Sequence, residues 1–304
     1  MKKVVKDLSA SVRQRLRSRA QETNRPFDEL IQYYAMERFL YRLSQSDYSS
    51  AVVLKGALMF IVWDASQSRA TRDIDLLGHL KNTIENIVGM VKEVCDLPVE
   101  PDGMIFDAAS VKGRRIKEDA GYEGVRVQFT GYLGRTRAAM QIDFGFGDTV
   151  YPKPSLVEYP SALGMARPKL WGYPRETVVA EKFEAMVNLG ILNSRMKDFY
   201  DVCLLANQFD FDGETLEKAV RQTFAHRGTP WTTSPFAFSD EFAKNLAKET
   251  QWAAFIRNGN LTLGPKSLAD AIKTLKAFLL PVVEGKTKAQ TWKAPGPWTE
   301  TKSS

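Results

Sequence analysis

Three aspartates have the spacing of a metal-dependent active site. Asp73 and Asp75 alternate with apolar residues in the segment Asp73–Leu77, and Asp143 follows Gln141 in a second alternating segment. Residues two positions apart on a β-strand point to the same face, so the first two carboxylates would lie together. If neighbouring strands bring Asp143 beside them, the three form an all-oxygen site suited to Mg²⁺. Two such ions about 4 Å apart can activate a hydroxyl and stabilise a leaving pyrophosphate.

A pair of aspartates two residues apart is weak support by itself, because a charged strand edge or turn has the same pattern. The preceding segments favour the metal-site interpretation. Leu54-Lys55-Gly56-Ala57-Leu58 predicts a strand, a tight turn and the start of a helix, and such a turn presents backbone N–H groups to phosphate. Arg69-Ala70-Thr71-Arg72 leads directly into Asp73 and adds cations that bind phosphate oxygens. Substrate phosphates and metal ligands would therefore meet at this point.

Lys182 lies on the flank of a predicted helix, Glu176–Leu189, whose apolar residues face inward. One interpretation is a surface ion pair with Glu181 or Glu184. The other is a cation that binds substrate phosphate. The helix alone favours the ion pair, whereas the presence of the aspartates in the same chain favours the phosphate-binding interpretation.

Two further carboxylates follow in the next predicted helix, Met196–Phe209. Asp198 and Asp201 lie three residues apart and so share one helical face, and Arg195 is close to Asp198. This set is consistent with a network that supports the active site and equally with a solvated helix face.

The element pattern predicts an α/β half followed by a helical domain. Val5, Leu8, Val12 and Leu16 recur every three or four residues, which predicts a docked amphipathic helix, and a second helix is expected over Phe27–Leu43. Strands are predicted at Ala51–Leu54, Asp73–Leu77, Gly124–Thr130 and Arg137–Phe144, and helices at Leu58–Trp63 and Thr83–Val94.

Beyond Pro174 the pattern is helical. The helices are predicted at Glu176–Leu189, Met196–Phe209, Gly213–His226, Asp240–Arg257 and Ser267–Val283. A cluster of Pro and Gly between residues 155 and 173 indicates a domain boundary. We therefore expect an N-terminal domain over residues 1–165, a helical domain over 166–285 and a disordered tail over 286–304.

Together these segments resemble the polymerase-β-like nucleotidyltransferase superfamily, and more closely the AbiEii/AbiGii (MenT-like) toxins. The resemblance covers roughly residues 25–210 with the motifs in the expected order. Besides the segments around Gly56 and Asp73, it is carried by Gly124-Val125-Arg126-Val127, Gln141-Ile142-Asp143-Phe144-Gly145-Phe146-Gly147-Asp148, Ala180-Glu181-Lys182-Phe183-Glu184-Ala185-Met186 and Arg195-Met196-Lys197-Asp198-Phe199-Tyr200-Asp201.

The resemblance implies an α+β fold, in which a polymerase-β-like domain with a mixed sheet flanked by helices precedes a helical C-terminal domain. It also implies a role for each matching residue. Asp73, Asp75 and Asp143 would hold Mg²⁺ or Mn²⁺, and with Lys182 and Asp201 they form the catalytic set. The nucleoside triphosphate, which is the substrate, would contact Lys55, Gly56, Ala57, Arg69, Thr71, Lys182, Arg195 and Asp198. One position departs from the family pattern, because Ala57 stands where relatives carry Ser or Gly and supplies no hydroxyl.

The positive charge of the chain is concentrated at its start. There are 42 Lys and Arg against 36 Asp and Glu, a net charge of +6, and the first 19 residues hold seven of the cations and one Asp. This pattern fits a solvated helix and a nucleic-acid contact equally well. A second basic cluster precedes a predicted strand and has the same two interpretations, a solvated loop or a nucleic-acid contact. The candidate RNA-binding residues are Arg13, Arg15, Arg17, Arg19, Lys112, Arg114 and Arg115.

Composition limits the class of protein. With 304 residues, 44% hydrophobic and 26% charged, the chain is typical of globular proteins. Its longest apolar runs are far shorter than the roughly 20 residues of a membrane-spanning helix, so we expect no membrane partner. The two cysteines are too few and too far apart for a disulfide framework, which favours the cytoplasm.

The resemblance implies the toxin of a bacterial toxin–antitoxin or phage-defence system. Such an enzyme would move a nucleoside monophosphate from NTP to an RNA acceptor, with the tRNA 3′ end as the first candidate, and so block translation. A cognate antitoxin is a candidate partner. Two alternatives remain open: an enzyme that adds AMP or UMP to a Ser, Thr or Tyr hydroxyl of a protein, and a catalytically silent nucleic-acid-binding module.

Overall fold

The computed structural model describes residues 7–66, 69–117, 123–262 and 264–301. Its contacts divide the chain into two compact units. Unit 1 comprises residues 1–63, 70–147 and 155–172, and unit 2 comprises residues 64–69, 148–154 and 173–304.

Unit 1 is a mixed sheet flanked by helices. Its helices are α1 (Leu8–Thr23), α2 (Phe27–Gln45), α3 (Leu58–Val62) and α4 (Ile84–Asp96). Its strands are β1 (Val52–Lys55), β2 (Asp73–Gly78), β3 (Met104–Lys117), β4 (Glu123–Leu133), β5 (Thr136–Phe146), β6 (Ser155–Glu158) and β7 (Lys169–Gly172). The strand order is β3-β4-β5-β2-β1-β7-β6, with β2 parallel to β5, β1 parallel to β7 and the other neighbours antiparallel.

One face of the sheet is buried beneath helices. Helix α2 packs against β5, and α4 packs against β3 and β4. In β5 this face carries Met140 and Ile142, which are both buried. The alternate positions, Gln141 and Asp143, belong to the opposite face. We call that opposite face, which also carries Asp73 and Asp75, the aspartate face.

Helix α1 is docked on unit 1, as the apolar stripe predicts. Val12 and Leu16 are fully buried. The helix begins where the Asp7 side chain accepts a hydrogen bond from the Ala10 backbone N–H, which satisfies one of the unpaired groups at a helix start. Val5, predicted on the same stripe, lies outside the described residues.

Unit 2 is mainly helical. Its helices are α5 (Arg175–Leu189), α6 (Met196–Gln208), α7 (Gly213–Arg227), α8 (Asp240–Ala243), α9 (Leu246–Asn258) and α10 (Leu268–Val283), with 3₁₀ turns at Gly190–Leu192 and Phe236–Phe238. The single helix predicted over Asp240–Arg257 is interrupted, because the Asn245 side chain accepts hydrogen bonds from the Ala247 and Lys248 N–H groups and starts a new helix. Within the described ranges, no helix combines the length and apolar character needed to cross a membrane.

The predicted disordered tail is wrong for the part of it that is described. Strands β8 (Phe211–Asp212), β9 (Gln290–Trp292) and β10 (Trp298–Glu300) form a small antiparallel sheet. Trp292 is buried and its indole N–H donates to the Ala206 carbonyl at 2.6 Å. Two tryptophans thus anchor a segment whose Pro, Lys and Ser content resembles that of a disordered chain, since the Trp298 N–H also donates to the Phe278 carbonyl.

The sequence also places the domain limit too early. The predicted limit after residue 165 separates β6 from β7, yet these strands pair with each other, and β7 continues the sheet beside β1. Unit 1 therefore extends to Gly172. Most of the cluster of Pro and Gly that suggested the boundary lies in the connection between β7 and the edge strand β6.

Candidate active site

Three neighbouring strands bring the predicted aspartates together on the aspartate face. Strands β2 and β5 are in parallel register, with Asp73 beside Gln141 and Asp75 beside Asp143. On the other side of β2, Lys55 is the antiparallel partner of Asp75. Because partners in register point to the same face, Lys55, Asp75 and Asp143 form one row across three strands.

The turn after β1 supports the Asp75 carboxylate. Gly56 has a φ of +70°, a conformation that favours glycine, and an added Cβ would stand 2.0 Å from Asp75 Oδ2. Glycine is therefore required both by the backbone and by the close approach of the carboxylate. Ala57 is buried, and helix α3 after it has only five residues, so any phosphate contact here would use the turn itself.

We expect Gly56→Ala to inactivate the site. The new methyl group would collide with Asp75, and the left-handed backbone costs about 1–3 kcal/mol for a residue other than glycine. Gly147→Ala is the matched control, because Gly147 has a φ of +81° and nothing within 4 Å of the added Cβ. Nucleotide-transfer activity and the free energy of unfolding in urea are measured for both variants. Gly147→Ala shows the effect of backbone strain alone, and Gly56→Ala shows strain together with the collision. Equal activity in the two would contradict a role for the Gly56–Asp75 contact.

Asp143 is held by Arg126 of β4, a residue that sequence reasoning did not assign to the site. Arg126 Nε donates to Asp143 Oδ1 at 2.7 Å and Nη2 donates to Oδ2 at 2.6 Å. These hydrogen bonds, together with the nearby charges of Asp73 and Asp75, raise the pKa of Arg126. The alternation in β4 indicates which side chains share a face with Arg126, but not which strand lies beside it.

The three aspartates differ in how they can serve a metal ion. Both oxygens of Asp143 accept from Arg126, and among the described residues no three His, Cys, Asp or Glu side chains converge as a metal-binding group. The role of Asp143 as the third metal ligand stays a prediction, and in this arrangement its carboxylate is bound by Arg126. Mg²⁺ is usually held by one or two carboxylates completed by waters and substrate phosphates, so Asp73 and Asp75 suit such an ion.

Thr71, another predicted nucleotide contact, is held at the entrance to β2. Its backbone N–H donates to the Tyr33 hydroxyl at 3.0 Å. The Thr71 hydroxyl lies 3.4 Å from both the backbone N and O of Asp73. The residue fixes the start of the strand that carries the two aspartates.

In unit 2, Lys182 of α5 and two aspartates of α6 form a buried ionic cluster. Lys182 Nζ lies 2.7 Å from Asp198 Oδ1 and 2.9 Å from Asp201 Oδ2. The side chain of Lys182 is 13% exposed, and those of the aspartates are 0% and 2% exposed. A lysine with this little exposure between two buried carboxylates is unlike a surface ion pair.

Glu181 and Glu184, the two glutamates considered as surface ion-pair partners of Lys182, contact other groups. Glu184 is buried and accepts from Arg227 Nη1 at 2.9 Å and from the Thr229 hydroxyl. Glu181 Oε1 lies 3.8 Å from Arg227 Nη2. Arg227 therefore binds the glutamates of α5, which leaves Lys182 to the aspartates of α6.

Two arginines complete the cluster around Lys182. Arg195 Nε lies 2.6 Å from Asp198 Oδ2, and Arg69 Nε lies 3.2 Å from Asp201 Oδ1. Three cations thus face two carboxylates, and the excess positive charge suits an anion such as phosphate. The Arg195 and Arg69 side chains are 29% and 18% exposed, so they are more accessible to a ligand than Lys182.

The charges in this cluster stabilise one another. Burial disfavours the charged form of Lys182, but Asp198 and Asp201 outweigh it and raise its pKa above the usual value. Burial likewise favours neutral Asp198, yet Lys182 and Arg195 outweigh it and lower its pKa. The charges of Lys182 and Asp198 therefore persist at neutral pH.

The candidate RNA-binding residues fall on two surfaces of unit 1. Arg13, Arg15, Arg17 and Arg19 are all exposed on α1. Two of them also contact the chain itself, since Arg15 donates to the Leu163 carbonyl and the Arg17 guanidinium lies 5.2 Å from the Phe27 ring centre.

The second basic cluster is part of a strand and does not form the expected loop. Lys112, Arg114 and Arg115 lie within β3, where a bulge between Asp107 and Lys112 interrupts the register and hides the alternation in the sequence. Register partners decide the face of each. Arg114 pairs with Arg126, which contacts Asp143, so Arg114 belongs to the aspartate face, whereas the next residue, Arg115, belongs to the helix-covered face.

Comparison with known proteins identifies the family. The family model of the nucleotidyltransferase AbiEii toxin of type IV toxin–antitoxin systems matches residues 38–274, which is most of the chain. The protein belongs to the AbiEii nucleotidyltransferase toxin family. Membership implies a cognate antitoxin, and nucleotidyltransferases of this kind generally use an NTP and a divalent metal.

Solved structures support the fold of this AbiEii-family protein. The crystal structure of JHP933 from Helicobacter pylori is similar with a TM-score of 0.52 and 15% identity, over 86% of this chain and 94% of that one. Another H. pylori structure, described as a candidate nucleotidyltransferase, gives a TM-score of 0.50 and 14% identity over 85% and 96% of the two chains. No curated protein matches the sequence.

Proposed function

We propose that this AbiEii-family nucleotidyltransferase moves a nucleoside monophosphate from an NTP to a hydroxyl of an RNA acceptor, the 3′ end of tRNA. The supporting observation is the row in which Asp75 lies beside Asp143 and rests on the turn at Gly56. A carboxylate pair next to a glycine turn suits a substrate that brings its own phosphates to a metal site.

The reaction is a phosphoryl substitution. The acceptor hydroxyl oxygen forms a bond to the α-phosphorus of the NTP, and the bond from that phosphorus to the bridging oxygen breaks. Pyrophosphate leaves with the electron pair, and the hydroxyl proton is lost to water. Asp143 holds Arg126 beside the reacting groups, where the guanidinium balances negative charge.

Asp73 and Asp75 are the residues that would hold Mg²⁺ or Mn²⁺. When bound, such an ion neutralises the triphosphate and stabilises the developing charge on the leaving pyrophosphate. In unit 2, Arg195 and Arg69 offer guanidinium groups to phosphate oxygens, and Lys182 keeps Asp198 and Asp201 in position behind them.

The consequence in the cell follows from the acceptor. A tRNA whose 3′ end carries an extra nucleotide cannot be charged with an amino acid there, so translation and growth stop. This outcome fits the toxin of a type IV system, and a role in phage defence through arrest of the infected cell. Because the acceptor is a cytoplasmic RNA, we propose that the enzyme acts in the cytoplasm.

The experiment is a labelling assay with each of the four NTPs, α-³²P-labelled, Mg²⁺ and a whole-cell extract. We expect label in an RNA of tRNA size and none in protein. Purified tRNA should be labelled in the same way, and tRNA whose terminal diol has been oxidised with periodate should not accept nucleotide. Label in protein alone would overturn the RNA assignment and favour nucleotidylation of a Ser, Thr or Tyr hydroxyl.

A further inference from the structure

The aspartate face continues beyond the aspartates as an exposed polar surface on β3, β4 and β5. Register partners define it: Lys112 of β3 pairs with Gln128 of β4, which pairs with Gln141 of β5, and Gln141 pairs with Asp73. This second row runs beside the one that contains Asp143. Strand β3 therefore lies two strand spacings, of about 4.8 Å each, from β5. Strand β5 is the neighbour of β2, which carries Asp73 and Asp75.

Further along the same strands the face carries an aromatic side chain and another cation. Tyr132 of β4 pairs with Arg137 of β5, and both are accessible to solvent. Thr130 shares the face with Tyr132, and Arg137 Nη2 lies 3.5 Å from the Thr130 hydroxyl. A tyrosine with more than a third of its surface exposed on an open sheet is available to stack on a planar ligand.

A groove of about 580 Å³ lies between these positions. It is lined by Asp107, Ala109, Ser110, Lys112, Gln128, Phe129, Thr130, Arg137, Ala139 and Met140. Its single carboxylate, Asp107, accepts hydrogen bonds from the backbone N–H groups of Ala109 and Ser110. These two groups partly compensate its negative charge. Lys112 and Arg137 give the groove a net positive charge.

The length of this surface suits a short stretch of chain. From Asp143 to Arg137 there are six residues of extended strand, about 20 Å at 3.4 Å per residue. Stacked nucleotides advance by about 3.4 Å each, so roughly six would fit along this distance. The surface ends at the carboxylates, where a terminal hydroxyl would react.

We propose that this face binds the unpaired 3′ end of the RNA acceptor, with Tyr132 stacked on a base and with Lys112 and Arg137 on phosphates. The proposal rests on the proposed function and adds to it the surface along which the single-stranded end of the acceptor reaches the carboxylates. An open sheet face with an exposed aromatic residue and flanking cations is a physical arrangement that binds single-stranded nucleic acid. A base inside a duplex is already stacked on both of its faces, so it could not stack on Tyr132 without being unstacked first.

Binding is measured without NTP, by fluorescence anisotropy with a labelled single-stranded oligoribonucleotide of about 12 nucleotides. The double variant Lys112→Gln/Arg137→Gln should bind more weakly, and its slope of log K against log salt should fall by about 1.4, which is two phosphate contacts at about 0.7 each. Tyr132→Leu should lose at least about fivefold in affinity with no change of slope, whereas Tyr132→Phe should bind as wild type.

Lys92→Gln is the control that removes one cation from the opposite face of the sheet. Lys92 is exposed on α4, which covers the other face of the sheet, where Ile84 and Val88 approach Gly113. This control should bind RNA as wild type, and thermal unfolding should show that all variants are folded.

Wild-type affinity and salt slope in the double variant and in Tyr132→Leu would overturn the proposal. So would equal affinity for a blunt RNA duplex. Because the measurement needs no transfer, its failure can be distinguished from failure of the proposed function. An enzyme that labels RNA but is unaffected by these substitutions contradicts the proposed path alone, and an enzyme that labels no RNA contradicts the proposed function.

Discussion

Asp75→Asn should reduce nucleotide transfer by at least about a thousandfold while the protein remains folded. The carboxylate rests on Gly56 and lies between Lys55 and Asp143, so the charge removed is the one at the centre of the site. Loss of one preorganised electrostatic group costs about 10²–10³ in rate, and loss of a metal ligand adds to it. Initial rates of pyrophosphate release at saturating NTP are the measurement.

The folded state should tolerate this substitution. The introduced asparagine keeps the shape of the original side chain, and the relief of repulsion from Asp73 and Asp143 offsets the lost attraction to Lys55, so the free energy of unfolding should change little. Glu158→Gln is a suitable control, because Glu158 is a carboxylate on the far edge strand β6 of the same sheet, paired with Lys169 at 3.0 Å. That variant should retain full activity, and an active Asp75→Asn enzyme would contradict the assignment.

Lys182→Met should destabilise unit 2 by about 3–5 kcal/mol and also abolish transfer. Removing one partner of a buried ionic cluster leaves uncompensated charge, and here two aspartates with almost no exposure lose their shared lysine. Urea unfolding gives the stability change. Lys182→Met/Asp198→Asn should recover much of it without recovering activity, because the buried charge is removed together with its partner.

Lys248→Met provides the matched control in the same unit. Lys248 is also buried, but its ammonium donates to the Asn193 carbonyl at 2.7 Å and so compensates no carboxylate in that contact. We expect a smaller loss, about 1–3 kcal/mol. Equal losses for the two lysines would contradict the electrostatic account of the Lys182 cluster.

The same cluster predicts the pH dependence of stability. The folded-state pKa of Asp198 is lowered below its usual 3.8, so its stabilising contribution is complete above about pH 4 and is lost as pH falls through the lower folded value. The free energy of unfolding of the wild type, measured in urea, should therefore fall between pH 7 and pH 3. The fall should be smaller in Asp198→Asn. An identical fall in both proteins would show that Asp198 does not contribute.

The alternation of polar and apolar residues was sufficient to predict the strands that carry the aspartates. Ile74 and Ile142 are buried where the pattern requires, and Asp73 and Asp75 share the other face. The pattern does not specify which strands are neighbours. The contact between Arg126 and Asp143 depends on the pairing of β4 with β5, and so it became visible only in the structure.

Other features were hidden because long-range contacts determine them. The bulge in β3 disrupts its alternation, so Lys112 and Arg114 resembled a loop. Strand β9 is stabilised by the burial of Trp292 against distant helices, which local composition does not reveal. Likewise, Lys182 sits beside glutamates in the sequence but contacts aspartates from another helix, because α5 packs on α6.

The central claim is that this chain transfers nucleotide to RNA through the carboxylates of β2. Its most direct test is incubation of purified wild-type and Asp75→Asn proteins with α-³²P-labelled NTPs, Mg²⁺ and tRNA. The account predicts that the wild type adds label to the tRNA 3′ end and that Asp75→Asn, folded and able to bind RNA, adds none. Equal labelling by the two proteins, or label from the wild type in protein alone, would contradict it.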